Sequence, residues 1–153
     1  MEDRKSISMD AFMEDFANVY YIKLLLKEPV EIRNDKILEL LLQRFNNVDT
    51  VVEQNGMYSY ALTDHKVTYK DEIKVPSQLL ITQPIVFDKT TLSDMVLQQC
   101  WTCEDVDALL KSCQYEIMFS DFMAGGLPLR KRCEILAVFA DIMMEIYPEA
   151  IAM

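Results

Sequence analysis

Residues 48–69 read VDTVVEQNGMYSYALTDHKVTY, and this stretch decides the fold class. Val51 and Val52 lead into Asn55-Gly56, a pair that tolerates positive φ at both positions and so closes a two-residue hairpin. Tyr58, Tyr60 and Leu62 then alternate, the period of a strand with one buried face. Asp64-His65 predicts a second turn before Val67 and Tyr69. Leu79 to Thr82, entered after Pro76 and closed by Pro84, predicts a further strand. The stretch is a β-meander, and meanders build antiparallel sheet.

On the N-terminal side, Val19 to Leu26 is dense in Tyr, Ile and Leu and predicts a buried strand that Pro29 ends. Asn34 is placed to cap a helix over Asp35 to Phe45, with Ile37, Leu38, Leu41 and Phe45 on its apolar face. On the C-terminal side, Thr91 with Asp94 and Thr102 with Asp105 fit a capping box in which Asp replaces the usual Glu. They predict two helices, or one kinked at Trp101. Tyr115 to Phe119 predicts a strand. Gly125-Gly126 breaks the chain in a left-handed turn, and Pro128 suits the first turn of a helix running to about Tyr147. Ile135, Leu136, Phe139, Ile142 and Met143 make much of that helix's circumference apolar, so it is expected to be well buried. Pro148 stops it, and Ala150 to Met153 predicts a short final strand. The order implies an α+β fold: a two-layer sandwich with a mixed, mostly antiparallel sheet and helices packed on one face. Residues 1–18 are expected to form an arm or short helix, and 19–153 a single domain.

The chain has 153 residues, about one domain by length, with 51% apolar residues and few glycines and prolines, which argues against disorder. Fifteen basic against 25 acidic residues give a net charge of −10. Such a surface repels phosphate backbones and anionic membranes, so neither nucleic acid nor membrane is an expected partner. The first residues lack the apolar core of a signal peptide, and no apolar run approaches the ~20 residues needed to span a bilayer. A cytoplasmic location follows as the expectation, with the four cysteines as reduced thiols.

Cys100-Trp101-Thr102-Cys103 has the spacing of a redox couple, and Thr102 as cap would put Cys103 in a first helical turn, where a thiolate is favoured. Thioredoxin-like motifs follow a strand, however, and this one follows the helix-like Leu92 to Gln99. Adding Cys113 and Cys133 gives no second close pair, so no structural zinc site is expected. His65 is the only histidine and sits in a predicted surface turn, which leaves little for a triad to use. Glu104, Asp105 and Asp107 open a helix, where the dipole favours them. Asp121, just past the strand ending at Phe119, is the carboxylate most open to an acid–base role. Gly125 and Gly126 followed by Arg130, Lys131 and Arg132 form a candidate anion site, with Gly125, Gly126, Arg130 and Arg132 as the binding residues. Neither the Walker pattern nor G-x-G-x-x-G is present. Tyr20, Tyr21, Tyr58, Tyr60 and Tyr69 read as core or interface packing. Met9, Phe12, Met13 and Phe16 share one face of a short helix behind Ser8, a candidate interaction arm.

The stretch QQCWTCEDVDALLKSCQYEIMFSDF at 98–122, then a glycine turn, a long helix and YPEAIAM, resembles an uncharacterised bacterial family, domain-of-unknown-function family 4261. Trp101, the strand Glu116 to Phe119, and Ala150-Ile151 carry the resemblance, with YIKLLLKEP at Tyr21 to Pro29 similar to how members begin. Members continue past the position of Met153, so the resemblance implies a shortened version. It implies no activity or cofactor.

The sequence therefore points first to a non-catalytic protein-interaction domain, self-associating as a homo-oligomer such as a homodimer. An acidic immunity-type inhibitor of a basic toxin is a second reading. A small ligand- or anion-binding protein or enzyme using Asp121, Gly125-Gly126 and Arg130 is a third. No catalytic residue, metal ligand or cofactor is assigned.

Overall fold

The computed structural model describes residues 18–69 and 72–153. The arm face expected at Met9, Phe12, Met13 and Phe16 lies outside the described residues. The elements are β1 (Tyr21–Leu26), α1 (Asn34–Arg44), β2 (Val48–Gln54), β3 (Met57–Thr68), β4 (Lys74–Thr82), β5 (Ile85–Val86), a 3-10 turn (Lys89–Thr91), α2 (Asp94–Gln98), α3 (Val106–Ser112), β6 (Tyr115–Phe122) and α4 (Leu129–Ile146). The fold is α+β. The strands form an open sheet in the order β1-β6-β4-β3-β2, with β5 alongside β6, and every pairing among them is antiparallel. The crossover through α1 carries the chain from one edge strand to the other.

Asn55-Gly56 closes the β2–β3 hairpin with both residues at positive φ, 54° and 74°. Asp64-His65 does not turn the chain. β3 runs on to Thr68, and its register against β4 passes from Leu62↔Ser77 to Lys66↔Pro76, so Thr63, Asp64 and His65 are accommodated as a bulge. Asn47 at the head of β2 holds that bulge. Its carbonyl accepts from Thr63 N–H at 3.2 Å, and its amide donates to both Asp64 carboxylate oxygens at 3.1 Å. The reversal comes later, between Thr68 and Lys74, closed by Tyr69 N–H donating to the Ile73 carbonyl.

β4 and β5 are one path along β6 broken at Gln83-Pro84. Ile81 faces Phe119 and Ile85 faces Glu116, so one residue is extra. Proline has no N–H to give the ladder. The Thr82 hydroxyl fills in, accepting from Met118 N–H at 3.1 Å and donating to the Met118 carbonyl at 3.3 Å.

Alternation divides the sheet's two faces. Leu24, Leu26, Tyr60, Leu62, Leu79, Ile81, Ile117 and Phe119 point to the inner face, beneath α1 and α4. Phe139 of α4 sits at their centre, edge-on to Phe119 at 5.3 Å and to Tyr60 at 6.4 Å. Two buried tyrosines tie this core to the start of α1. Tyr60 O–H donates to Asn34 Oδ1 at 2.7 Å. Tyr147 O–H donates to the Glu31 carbonyl at 3.0 Å and accepts from Arg33 N–H at 2.9 Å. Asn34 thus serves Tyr60 instead of capping α1, whose cap position is Arg33 with no side-chain bond.

Four other local expectations are corrected. Ser93 caps α2 and Asp105 caps α3, in place of Thr91 and Thr102. Asp121 lies within β6, not beyond it. At the glycine turn, the left-handed residue is Met123 (φ 54°), and neither Gly125 nor Gly126 has positive φ. Gly126 is instead needed for a close approach, because a Cβ there would lie 3.2 Å from Val67 Cβ. The final strand reduces to one bridge, Leu25 with Ala152.

Candidate functional site: an apolar groove on the outer face

Leu25 lies between two inward leucines and so points outward. There it meets Phe87, Leu110 and Cys113 in a second, small core, roofed by Leu92, Leu97, Val106 and Leu109 from the segment between β5 and β6. The C-terminal residues complete it. Leu25 N–H donates to the Ala152 carbonyl and Leu25 carbonyl accepts from Ile151 N–H, each at 2.8 Å. Two helices of five and seven residues leave this small core unsealed. A groove of about 680 Å³ opens between β1, α2, α3 and the C-terminal segment, lined mainly by apolar side chains such as Val96, Leu97, Val106 and Leu109. A pocket of that size with few polar groups is the usual form of a binding site. Exposed Met95, Val96 and Met153 stand on these same elements, and Trp101, 87% exposed, sits in the α2–α3 loop.

The charged residue lining the groove is Lys23, beside the hydroxyl residues Thr91, Ser93 and Thr102. Its Nζ is 3.0 Å from Glu116 Oε1 and donates to Thr91 Oγ1 at 3.3 Å. Cys100 and Cys103 also line the groove, and Cys100 Sγ donates to the Val96 carbonyl at 3.5 Å. Cys103 precedes α3 and lies in the loop, outside the helical turn expected to favour its thiolate.

The residues expected to form an anion site do not converge. Arg132 turns inward, 6% exposed, and its guanidinium takes Asp121, 2% exposed, in a two-pronged pair at 2.7 and 3.0 Å. It also donates to the Asn18 carbonyl at 2.8 Å and lies over the Tyr20 ring at 4.1 Å. Asp121 in turn accepts from Tyr20 N–H at 2.8 Å. The hydrogen bonds from the Arg132 guanidinium to the Asp121 carboxylate push the Arg132 pKa above its ordinary value. The arrangement fastens the chain's entry into β1 to α4 and engages both Asp121 oxygens in structural hydrogen bonds. Arg130 points the other way, its side chain 91% exposed and 2.9 Å from Glu134.

His65 lies in a different cleft, of about 380 Å³, with Arg44, Phe45, Lys131 and Glu134. Its ring is edge-on to Phe45 at 5.9 Å. It is half-buried in the β3 bulge, not on a solvated turn. Burial, followed by the nearby Lys131 charge, pushes its pKa below the ordinary imidazole value, against an upward pull from Asp64. No Ser, Thr or Cys among the described residues lines this cleft beside the ring. Among the described residues, no three His, Cys, Asp or Glu side chains come together as metal ligands. Cys113 is buried, which pushes its thiol pKa up, and Cys133 is exposed on α4. The tyrosines also separate: Tyr58 and Tyr60 serve the inner core, and Tyr21 projects from the outer face.

Sequence reasoning missed the groove itself. Leu97, Val106, Leu109 and Leu110 are visible as apolar residues, but only their packing with Leu25 shows which strand they meet. No family model, curated protein or solved structure matches this chain. No helix among the described residues is long and apolar enough to cross a membrane.

Proposed function

We propose that this chain is a non-catalytic protein-interaction domain of the cytoplasm whose outer groove takes an apolar segment flanked by basic residues. The observation that carries the reading is the open apolar groove flanked by exposed Met95, Val96, Trp101 and Met153, on a sheet whose other face packs its main core under α1 and α4. The sign of the partner follows from charge. Asp88, Asp94, Glu104, Asp105 and Asp107 are interleaved in sequence with the groove's lining residues, against Lys89 alone over that span. Asp88 and Asp105 cap helices and Asp94 and Asp107 lie in first turns, so this segment carries an acidic excess beside a groove whose own charged lining residue, Lys23, is paired with Glu116. Complementary charge steers encounter and fixes orientation, while the apolar contact supplies affinity. A basic toxin held by an acidic inhibitor is one instance of such a partner, in keeping with the net charge of −10.

The test is binding of synthetic amphipathic helices, one Leu/Lys and one Leu/Glu, followed by the single tryptophan's fluorescence. The Leu/Lys helix is expected to bind saturably, more weakly at high salt, and at least tenfold more weakly to Val96→Asp. Equal binding of both helices, or binding unchanged by Val96→Asp, overturns the reading. Preferential binding of a peptide of residues 1–18, itself acidic, would instead make a second copy of the chain the occupant.

A further inference from the structure

We infer that Cys100 and Cys103 form a reversible dithiol–disulfide couple in the groove wall, a modification site whose reagent is a small thiol or disulfide of the glutathione type. The four-residue turn supplies the geometry. Cys103 N–H donates to the Cys100 carbonyl at 3.2 Å. A turn closed in this way keeps its first and last Cα atoms within about 7 Å. A disulfide spans Cα separations of about 4.4–6.8 Å, so the turn brings the two Cα atoms into the range a bridge needs. Exposure sets the order of events. Cys100 is exposed and meets the reagent first, and Cys103, partly buried beside it, resolves the adduct. The remaining cysteines sit elsewhere: Cys113 is in the small core and Cys133 is on α4.

The chemistry balances as two exchanges. The Cys100 thiolate attacks one sulfur of the small disulfide, forming a mixed disulfide and expelling one thiolate, which takes up a proton. The Cys103 thiol loses its proton to solvent, attacks the Cys100 sulfur and expels the second thiolate, which is protonated in turn. The two protein sulfurs are oxidised to a disulfide, and the small disulfide is reduced to two thiols. Bond formation removes the thiol hydrogen that Cys100 donates to the Val96 carbonyl, at the end of a five-residue helix that walls the groove. Oxidation therefore changes the groove's wall without touching the inner core. This couple does not depend on what the groove binds.

The experiment equilibrates the purified chain in glutathione buffers from fully reduced to fully oxidised, then alkylates and digests it with trypsin. Cleavage at Lys89 and Lys111 isolates Cys100 and Cys103 in one peptide, with Cys113 in the next and Cys133 beyond Arg132. The expected result is one transition in which the first peptide loses two hydrogen atoms and both alkylation sites together. Trp101, between the two sulfurs, is expected to lose fluorescence over the same transition. Cys113→Ser and Cys133→Ser are expected to leave the transition in place. Cys103→Ser should stop the reaction at the glutathione adduct on Cys100. A persistent adduct on Cys100 in the unsubstituted chain, a bridge to Cys113 or Cys133, or retention of both thiols in fully oxidised glutathione each overturns the couple.

Discussion

The two faces of one sheet are built to different standards. The inner face is sealed by an 18-residue and an 11-residue helix over a continuous core reaching from Leu24 to Tyr147. Among the described residues, the outer face at the β1 end is covered by two short helices around four buried side chains, and a groove opens there. Helix length is the physical difference. A short helix buries few turns and draws little stability from packing. The inner face carries the continuous core, and the outer face keeps the groove proposed above as the binding surface.

The largest effect that would sharpen this comparison lies at the ion pair that ties β1's entry to α4. Asp121→Ala leaves the Arg132 charge buried without its partner and is expected to lower stability by about 3–5 kcal/mol in urea unfolding. Asp121→Leu combined with Arg132→Met is expected to recover most of that loss, which would separate a charge penalty from a packing one. Next come cavity substitutions on the two faces. Ile142→Ala in the inner core should cost about 2–5 kcal/mol, and Leu110→Ala in the outer cluster should fall at or below the low end of that range, because the open groove lets neighbours relax. Equal costs would break the comparison. Trp101→Ala, at a side chain almost fully in solvent, is expected to shift stability by no more than about 0.5 kcal/mol while weakening the Leu/Lys helix in a binding titration.

The smallest effect belongs to His65. Its folded-state pKa is depressed, so between that value and the ordinary ~6.5 the unfolded chain binds more protons than the folded one. Its contribution is full above ~6.5 and is lost as pH falls below it. His65→Gln should therefore show a slightly shallower fall in urea midpoint than the parent on acidification from about pH 7.5 to 5.5. An unchanged slope would show that the half-buried ring carries no proton linkage.

Much of the inner face was legible in the sequence because it follows from periodicity. Tyr58, Tyr60 and Leu62 alternate, the Ile135–Met143 spacing wraps a helix, and Asn55-Gly56 admits little but a tight hairpin. The candidate site was less legible. Cys100 and Cys103 were visible as a motif, but their meaning depended on a turn and on a groove wall contributed by distant β1. Asp121, Gly125-Gly126 and Arg130 to Arg132 looked like a polar cluster, and no local rule says that Arg132 faces inward to Asp121 while Arg130 faces solvent.

By itself the sequence determined the α+β class, the β2–β3 hairpin, the buried character of α4 and the acidic surface. These rest on backbone propensity, side-chain period and charge count, all local or additive. Tertiary structure alone decided that β1 lies beside β6, that Asp64-His65 is a bulge and not a turn, and that Asp121 is neutralised by Arg132. It also decided that the β5–β6 segment walls a groove. Each of these depends on contacts between residues far apart in the chain, where the free energy of burial and charge pairing outweighs any local preference.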